Sequence, residues 1–430
     1  MLSVERLEDL SPERKNALLK RSMASFPDTM EKTREILARL RRDPEGELKR
    51  EYSPLKADLR PEDLVVSPME TSEAFRLTDP ALKMALEKAA GNIETFHRRQ
   101  LKDGAWFTEI SPGLVCGRLT RPIESVGVYI PGGRAVYPST ALMNLIPARA
   151  AGVENLYAVS PPGEGLKLNP AVLVAAAMSG AKRVFKLGGA WAVGCLAYGL
   201  SVFPKVGKIV GPGSSWVTAA KAAVFGEVDI DLPAGPSEGF IIADAENDPE
   251  TLAWDFLAQL EHDPQAAAIL VATSQKLAER VLEKVSEKAS GLKRAGIVQS
   301  SLANAAILVA DSISAAFDFA NLYAPEHLQI LLKDPFTHLS SIKNAGSVFL
   351  GPYSPVPAGD YASGTNHVLP TGGAAAFFSG LSTDSFLKTT TFQCLTREAL
   401  HDIAPAVLTL AEAEGLECHA LAVKARLKES

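Results

Sequence analysis

The sequence predicts an α/β protein with two Rossmann-like βαβ domains built on parallel sheets, plus N-terminal helices and a small C-terminal helical tail. Two observations carry this prediction. From residue 125 onward, short apolar runs alternate with stretches of helical spacing about three turns long, the pattern of βαβ units with parallel strands. The alternation then restarts with new elements from about residue 238, so one chain holds two such arrays and two sheets with a cleft between them.

Residues 1–50 are polar and helix-prone, with Ser11-Pro12-Glu13 as a helix start: serine caps the first turn and proline is tolerated inside it. In the first array SVGVYI is strand-like, PGGRAVYPS turns, and TALMNLIPARAAG has helical spacing. NLYAVS ends at PPG, a helix follows Asn169-Pro170, and RVFKLGG, WAVGCLAYG, KIVGPG, VTAAKAAVF and VDIDLPAG continue the alternation. The second array runs GFIIAD, TLAWDFLAQLEH, AAAILVAT, QKLAERVLEKVSEKA, NAAILVA, ISAAFDFANLY, HLQILL and GSVFL. Open parallel sheets bind ligands at the carboxyl ends of their strands, so chemistry is expected in the loops there. After GSVFL comes GPYSPVPAGDYASGTNHVLPTGG, a loop of a length that is either functional or disordered. From about 381, REALHDIAPAVLTLAEAEG and ALAVKARLK read as a helical appendage.

Composition removes several function classes. A length of 430 residues with 47% hydrophobic and 22% charged side chains fits an ordinary soluble protein of two or three domains. The net charge of -6, without a concentrated Lys/Arg block, argues against nucleic acid as a partner. The N-terminal stretch has no apolar core of signal-peptide length, and no run approaches the ~18 apolar residues of a membrane span. Cys116, Cys195, Cys394 and Cys418 are scattered without CxxC pairing, which suggests neither a zinc knuckle nor a disulfide framework and makes a reducing cytoplasm the simplest compartment.

The segment WDFLAQLEHDP reads as a helix stopped by Asp263 and Pro264, and it places Gln259 and His262 three residues apart on one face. Such a pair is either a capped helix end with a surface histidine or part of a metal site. Of the seven histidines, His262, His327, His367 and His419 lie near other polar groups, while His97, His338 and His401 read as structural or surface residues. Gln259, His262, Asp360 and His419 together make an N/O donor set that suits a borderline divalent metal such as zinc, although spacing does not establish that they meet. Glu326 and His327 are adjacent where a helix gives way to a strand, and such a pair divides base and acid roles or is an ordinary loop pair. No GxGxxG follows a strand: GPGSSW lacks the last glycine and LGGAWAVG is spaced differently, so the glycine turns serve either a nucleotide or the chain reversal itself.

Assembled, these segments resemble the histidinol dehydrogenase family. VGVYIPGGRAVYPSTALMN, KIVGPG, VDIDLPAGPSE, DFLAQLEHDP, NLYAPEHLQ, AGSVFLG, AGDYASGTNHVLPTGGAA, GLSTDSFLK and EAEGLECHA run in the family's order from about residue 125 to 420. The resemblance implies one Zn2+ per subunit, held by Gln259, His262, Asp360 and His419, the last supplied by the other subunit of an intertwined homodimer. It implies that Glu326 activates water and His327 transfers protons, and that Ser237, His367 and Glu414 join Gln259, His262, His327, Asp360 and His419 around a small-molecule substrate. The implied reaction is the four-electron oxidation of L-histidinol to L-histidine through the aldehyde with two NAD, the last steps of histidine biosynthesis.

At the implied cofactor contacts Tyr129 is retained, but GGAWA stands where the family has GGAQA and GPGS where it has GPGN, which puts Trp191 and Ser214 in place of two amides. These changes favour the alternative of a paralogue that oxidises another small polar alcohol or uses a different electron acceptor. The expected division is an N-terminal helical arm (1–24), a first α/β domain (25–124 with 238–380) bearing most zinc and catalytic residues, a second α/β domain on the nucleotide side (125–237), and a C-terminal helical tail (381–430) that completes the partner's site.

Overall fold

The computed structural model describes residues 2–20, 27–132, 136–231 and 235–427. Residues 133–135 of PGGRAVYPS, residues 232–234 of VDIDLPAG and the expected boundary between 24 and 25 lie outside them. The chain divides into two compact units, Met1–Gln100 with Glu124–Ser385 and Leu101–Ile123 with Phe386–Ser430.

The larger unit opens with strand β1 (Val4–Arg6), in a segment the sequence reads as helical. Three residues are too few to show alternation, and β1 exists because it pairs in parallel with Ile307–Val309 on an open sheet edge. The expected helix follows at Pro12–Leu19, its first turn capped by Ser11 Oγ, which accepts from Arg14 N–H at 3.1 Å.

Strands β2 (Ala105–Ser111) and β3 (Leu114–Pro122) belong to the smaller unit. The first large sheet then runs through β4 (Ser125–Tyr129), β5 (Asn155–Ser160), β6 (Arg183–Lys186), β7 (Lys208–Val210) and β8 (Asp229–Ile230). Its order is β6-β5-β4-β7-β8, with every pairing parallel. The chain starts in the middle, winds out to β6, and returns to the other side at β7, so a crevice opens between the carboxyl ends of β4 and β7. Helices on both faces account for the continuous apolar strands, of which Val126, Val128, Ile209 and Val210 are fully buried. Helix Pro138–Ala150 is buried from Ser139 to Ala148 and contains Pro147. Proline has no N–H for the carbonyl four residues back, and that carbonyl, on Met143, accepts instead from Asn366 Nδ2 at 2.7 Å.

The second large sheet comprises β9 (Glu238–Ala243), β10 (Ala267–Ala272), β11 (Ala305–Val309), β12 (His327–Leu331) and β13 (Ser347–Leu350), with β1 at its edge. The order β1-β11-β10-β9-β12-β13, again all parallel, winds the same way about β9. Here the crevice at the carboxyl ends of β9 and β12 is filled. Asn247 Nδ2 donates to Leu331 O at 2.7 Å and to Asp244 Oδ1 at 2.9 Å, and Asp244 Oδ2 accepts from Lys333 N–H at 3.0 Å.

In the smaller unit β14 (Leu387–Leu395) pairs antiparallel with β3, which pairs antiparallel with β2. The sequence reading of a helical tail holds for Arg397–Ala413 and Glu417–Leu427 but misses this strand, whose signal is the β-branched run Thr389–Thr391 followed by Phe392. Among the described residues no helix is long and apolar enough to cross a membrane.

Replacing Asn247 with alanine removes the donors that plug the second crevice and is expected to lower stability by about 1–3 kcal/mol while leaving turnover unchanged. Urea unfolding and steady-state rates on the same preparation check this.

Candidate active site

The catalytic candidates gather at the amino ends of the second sheet, not at the carboxyl ends where ligands were expected. His327 opens β12 opposite Gly239 of β9, and Glu238 opens β9. With the second sheet's own crevice plugged, these amino ends open instead onto a cleft of about 580 Å³. Thr140, in the first turn of helix Pro138–Ala150, and Ser214, the N-cap of the helix after β7, line it from the carboxyl side of the first sheet together with His262, Glu326, His327 and Asp360.

Helix Ile313–Tyr323 delivers the Glu-His pair through Ala324, a non-glycine residue at φ 47. This left-handed conformation costs about 1–2 kcal/mol and is maintained by the packing on either side of it. The peptide of Glu238 then fixes both side chains: its N–H donates to Glu326 Oε2 at 2.8 Å, and its carbonyl lies 3.0 Å from His327 Nδ1. A carbonyl only accepts, so Nδ1 carries the proton and Nε2 is left as the basic nitrogen. His327 Nε2 has no hydrogen-bond partner and stands 3.5 Å from Asp360 Oδ1.

Helix Pro249–Leu260 ends one residue after Gln259, with Glu261 as its C-cap, so His262 lies in the following turn rather than on the helix face the spacing suggested. Gln259 packs over β9 because residue 239 is glycine; an added Cβ there would overlap Gln259 Cγ. Its Oε1 is buried without a hydrogen-bond partner, an arrangement that leaves an acceptor waiting for a cation or a donor. Asp360 comes from the short helix Val356–Tyr361 inside the long loop. His367 Nδ1 lies 2.9 Å from Asp360 O, and the neighbouring Asn366 pins the loop to Met143. The loop's far end is held by Glu238, whose Oε1 accepts from Gly372 N–H at 2.6 Å. Among the described residues, no group of three or more His, Cys, Asp or Glu gathers closely enough to hold a metal unaided.

The electrostatics follow from this crowding. Burial pushes the Glu326 carboxyl up to about 8, against the pull of His327. Burial disfavours charge on His327 as well, yet the facing Glu326 and Asp360 carboxylates raise its proton affinity. Burial opposes charge on Asp360, but the close approach and charge of His327, with His367 and His262, hold it below the ordinary carboxylate value. His262 faces the open cleft but is surrounded by protein, and both it and His367 are shifted downward by burial.

The remaining candidates are dispersed. Ser237 lines the cleft at the start of β9. Tyr129 is buried, its hydroxyl accepting from Gly189 N–H at 3.2 Å. Ser214 lines the cleft as the N-cap of helix Ser215–Val224, and its side chain makes no capping hydrogen bond. Trp191 is half-buried, with Nε1 3.4 Å from Glu47 Oε1. Glu414 and His419 are exposed on the smaller unit. His97 is buried between Ile93 O and Asn366, and His338 stacks on Phe317 with ring centroids 5.4 Å apart. The sequence reading missed Glu238, although it lies in the quoted VDIDLPAGPSE; an acid beside strand-forming residues gives no sign that its backbone does the positioning.

A family model for histidinol dehydrogenase matches residues 19–427. The chain is 53% identical over 369 residues to the histidinol dehydrogenase of Methanothermobacter thermautotrophicus, covering 86% of each. It is 46% identical to that of Methanocaldococcus jannaschii over 426 residues, covering 99% of each. The crystal structure of histidinol dehydrogenase from Elizabethkingia anophelis superposes with a TM-score of 0.92 at 38% identity, over 99% of this chain and 97% of that one. With the sequence, the fold and the cleft in agreement, the chain belongs to the histidinol dehydrogenase family and is an oxidoreductase of that type.

Proposed function

We propose that this protein oxidises L-histidinol through the aldehyde to L-histidine, with one zinc ion per subunit and NAD. The observation that carries the reading is the Glu326-His327 pair, buried at the amino end of β12 and set beside Asp360 in the wall of an open cleft. Zinc, when bound, supplies a fixed positive point that orients the substrate's polar groups and carries no redox chemistry. Gln259, His262 and Asp360 suit that role, and the unpartnered Gln259 Oε1 is the feature best explained by it. The fourth donor is His419 of the partner subunit in a homodimer, with Glu414 beside it, which fits the lack of a three-ligand cluster among the described residues of one chain. NAD, when bound, supplies the hydride acceptor for each oxidation. The crevice between β4 and β7 suits it, because the N-terminus of helix Ser215–Val224 favours anionic groups and Ser214 has an uncommitted hydroxyl there.

The chain's own groups handle the protons. His327, its Nδ1 proton held by Glu238 O, presents Nε2 to take the alcohol proton as hydride leaves carbon. Glu326, with Oε2 bound to the Glu238 N–H, keeps Oε1 to remove a proton from water as it adds to the aldehyde. The hydrate, already short of the proton taken by Glu326, then gives up the second hydride to the acceptor and its remaining hydroxyl proton to solvent, leaving the carboxylate. His367, anchored through Nδ1, leaves Nε2 for the substrate. A cytoplasmic setting is consistent with four free thiols.

His262→Ala is expected to abolish metal retention and turnover together, as read by metal analysis beside the assay. Glu326→Gln is expected to retain metal and slow aldehyde oxidation by about 100-fold or more, while alcohol oxidation suffers less. Metal-replete, active His262→Ala protein would sink the metal assignment.

The aldehyde step needs ionised Glu326, so its rate is expected to fall as pH drops through that group's value, about 8 without a neighbouring cation and lower with one. Pre-steady-state rates against pH check this, and Glu326→Gln should flatten the acid limb.

A further inference from the structure

Lys221 is a buried cation outside the catalytic set. It lies on helix Ser215–Val224 with a side chain 2% exposed, and it forms an ion pair with Asp231, itself 4% exposed. Lys221 Nζ also donates to Gly211 O at 2.9 Å, while Asp231 Oδ2 accepts from Gly211 N–H at 2.6 Å. The pair therefore holds both polar groups of one residue, and that residue is the turn at the end of β7. Gly211 has φ 112 and lies so close to β4 that an added Cβ would overlap Tyr129 O. The next residues, Pro212, Gly213 and Ser214, line the cleft. Asp231 lines it too, and the chain then runs on to Ser237.

Burial of a charged pair is costly, and an apolar pair of similar volume often gives equal or better stability. Its presence at this turn calls for a role that apolar side chains could not fill. We infer that Lys221 and Asp231 are positioning residues for the nucleotide: together they fix the Gly211–Ser214 turn in the shape that receives its phosphates, and Lys221 cancels a carboxylate that would otherwise face those phosphates across the cleft. The inference rests on the reading that NAD occupies the crevice between β4 and β7. The hydrogen bonds and ion pair of Lys221 and Asp231 run to each other and to Gly211, not to the Glu326-His327 pair or to Gln259, His262 and Asp360, so substrate and metal binding are expected to be independent of them.

The test uses zinc-loaded, full-length protein and isothermal titration with NAD and, separately, with L-histidinol. Lys221→Met strands the Asp231 carboxylate, while Lys221→Met with Asp231→Asn removes both charges and keeps an acceptor for the Gly211 N–H. The single variant is expected to weaken NAD binding by about tenfold or more and the double variant by less, with histidinol binding within about twofold of the parent in both. The double variant carries the test if the single one fails to fold, and equal NAD affinity in a folded double variant overturns the inference. Parent protein that binds histidinol but not NAD overturns the cofactor reading beneath it, a result distinct from the first. Equal weakening of NAD and histidinol would mark the pair as a general structural element and also overturns the inference.

Discussion

The parallel pairing of β9 with β12 is the constraint on which the site depends. Register places His327 opposite Gly239, so the peptide of Glu238 lies where it can hold Glu326 through its N–H and His327 through its carbonyl. Backbone groups have no rotamers to lose, which makes such a support stiffer than one built from side chains. The same strand start also anchors the long loop, through Glu238 Oε1 and Gly372, and that loop brings Asp360 to His327. A shift of one residue in the pairing would turn each of these groups to the other face.

Two sheets wound the same way put opposite ends to use. The first leaves its crevice between β4 and β7 open, bounded by glycine turns and the start of helix Ser215–Val224. The second closes its crevice with Asn247 and Asp244 and contributes its amino ends to the cleft. Ligand binding at carboxyl ends therefore describes only one half of this cleft. Buried polar groups recur where the two meet: Asn366 takes up the carbonyl freed by Pro147, and Lys221 with Asp231 takes up both groups of Gly211. Each anchors a segment without regular hydrogen bonding beside the site.

Much of the fold was legible because both sheets are buried on both faces, so their strands read as apolar runs with helices between them. β1 and β14 were not legible, the first being three residues long and the second lying in polar sequence ahead of strongly periodic helices. The site was legible only in part. Gln259 and His262 stood out by spacing, although the helix ends before His262. Asp360 and His327 are 33 positions apart in sequence and face each other through a register that no local pattern encodes. Glu238 was invisible because its work is done mainly by its backbone. Trp191 was read as a cofactor-side residue, and its indole nitrogen points to Glu47 on helix Pro44–Tyr52.

The most direct measurement is the yield of NADH from a limiting amount of L-histidinol with purified, zinc-loaded protein and excess NAD, with the product identified. Two NADH and one L-histidine per L-histidinol are expected from the paired roles of His327 and Glu326. One NADH with accumulated aldehyde would contradict the role given to Glu326, and no NADH from metal-replete protein would contradict the assignment of histidinol and NAD to this cleft.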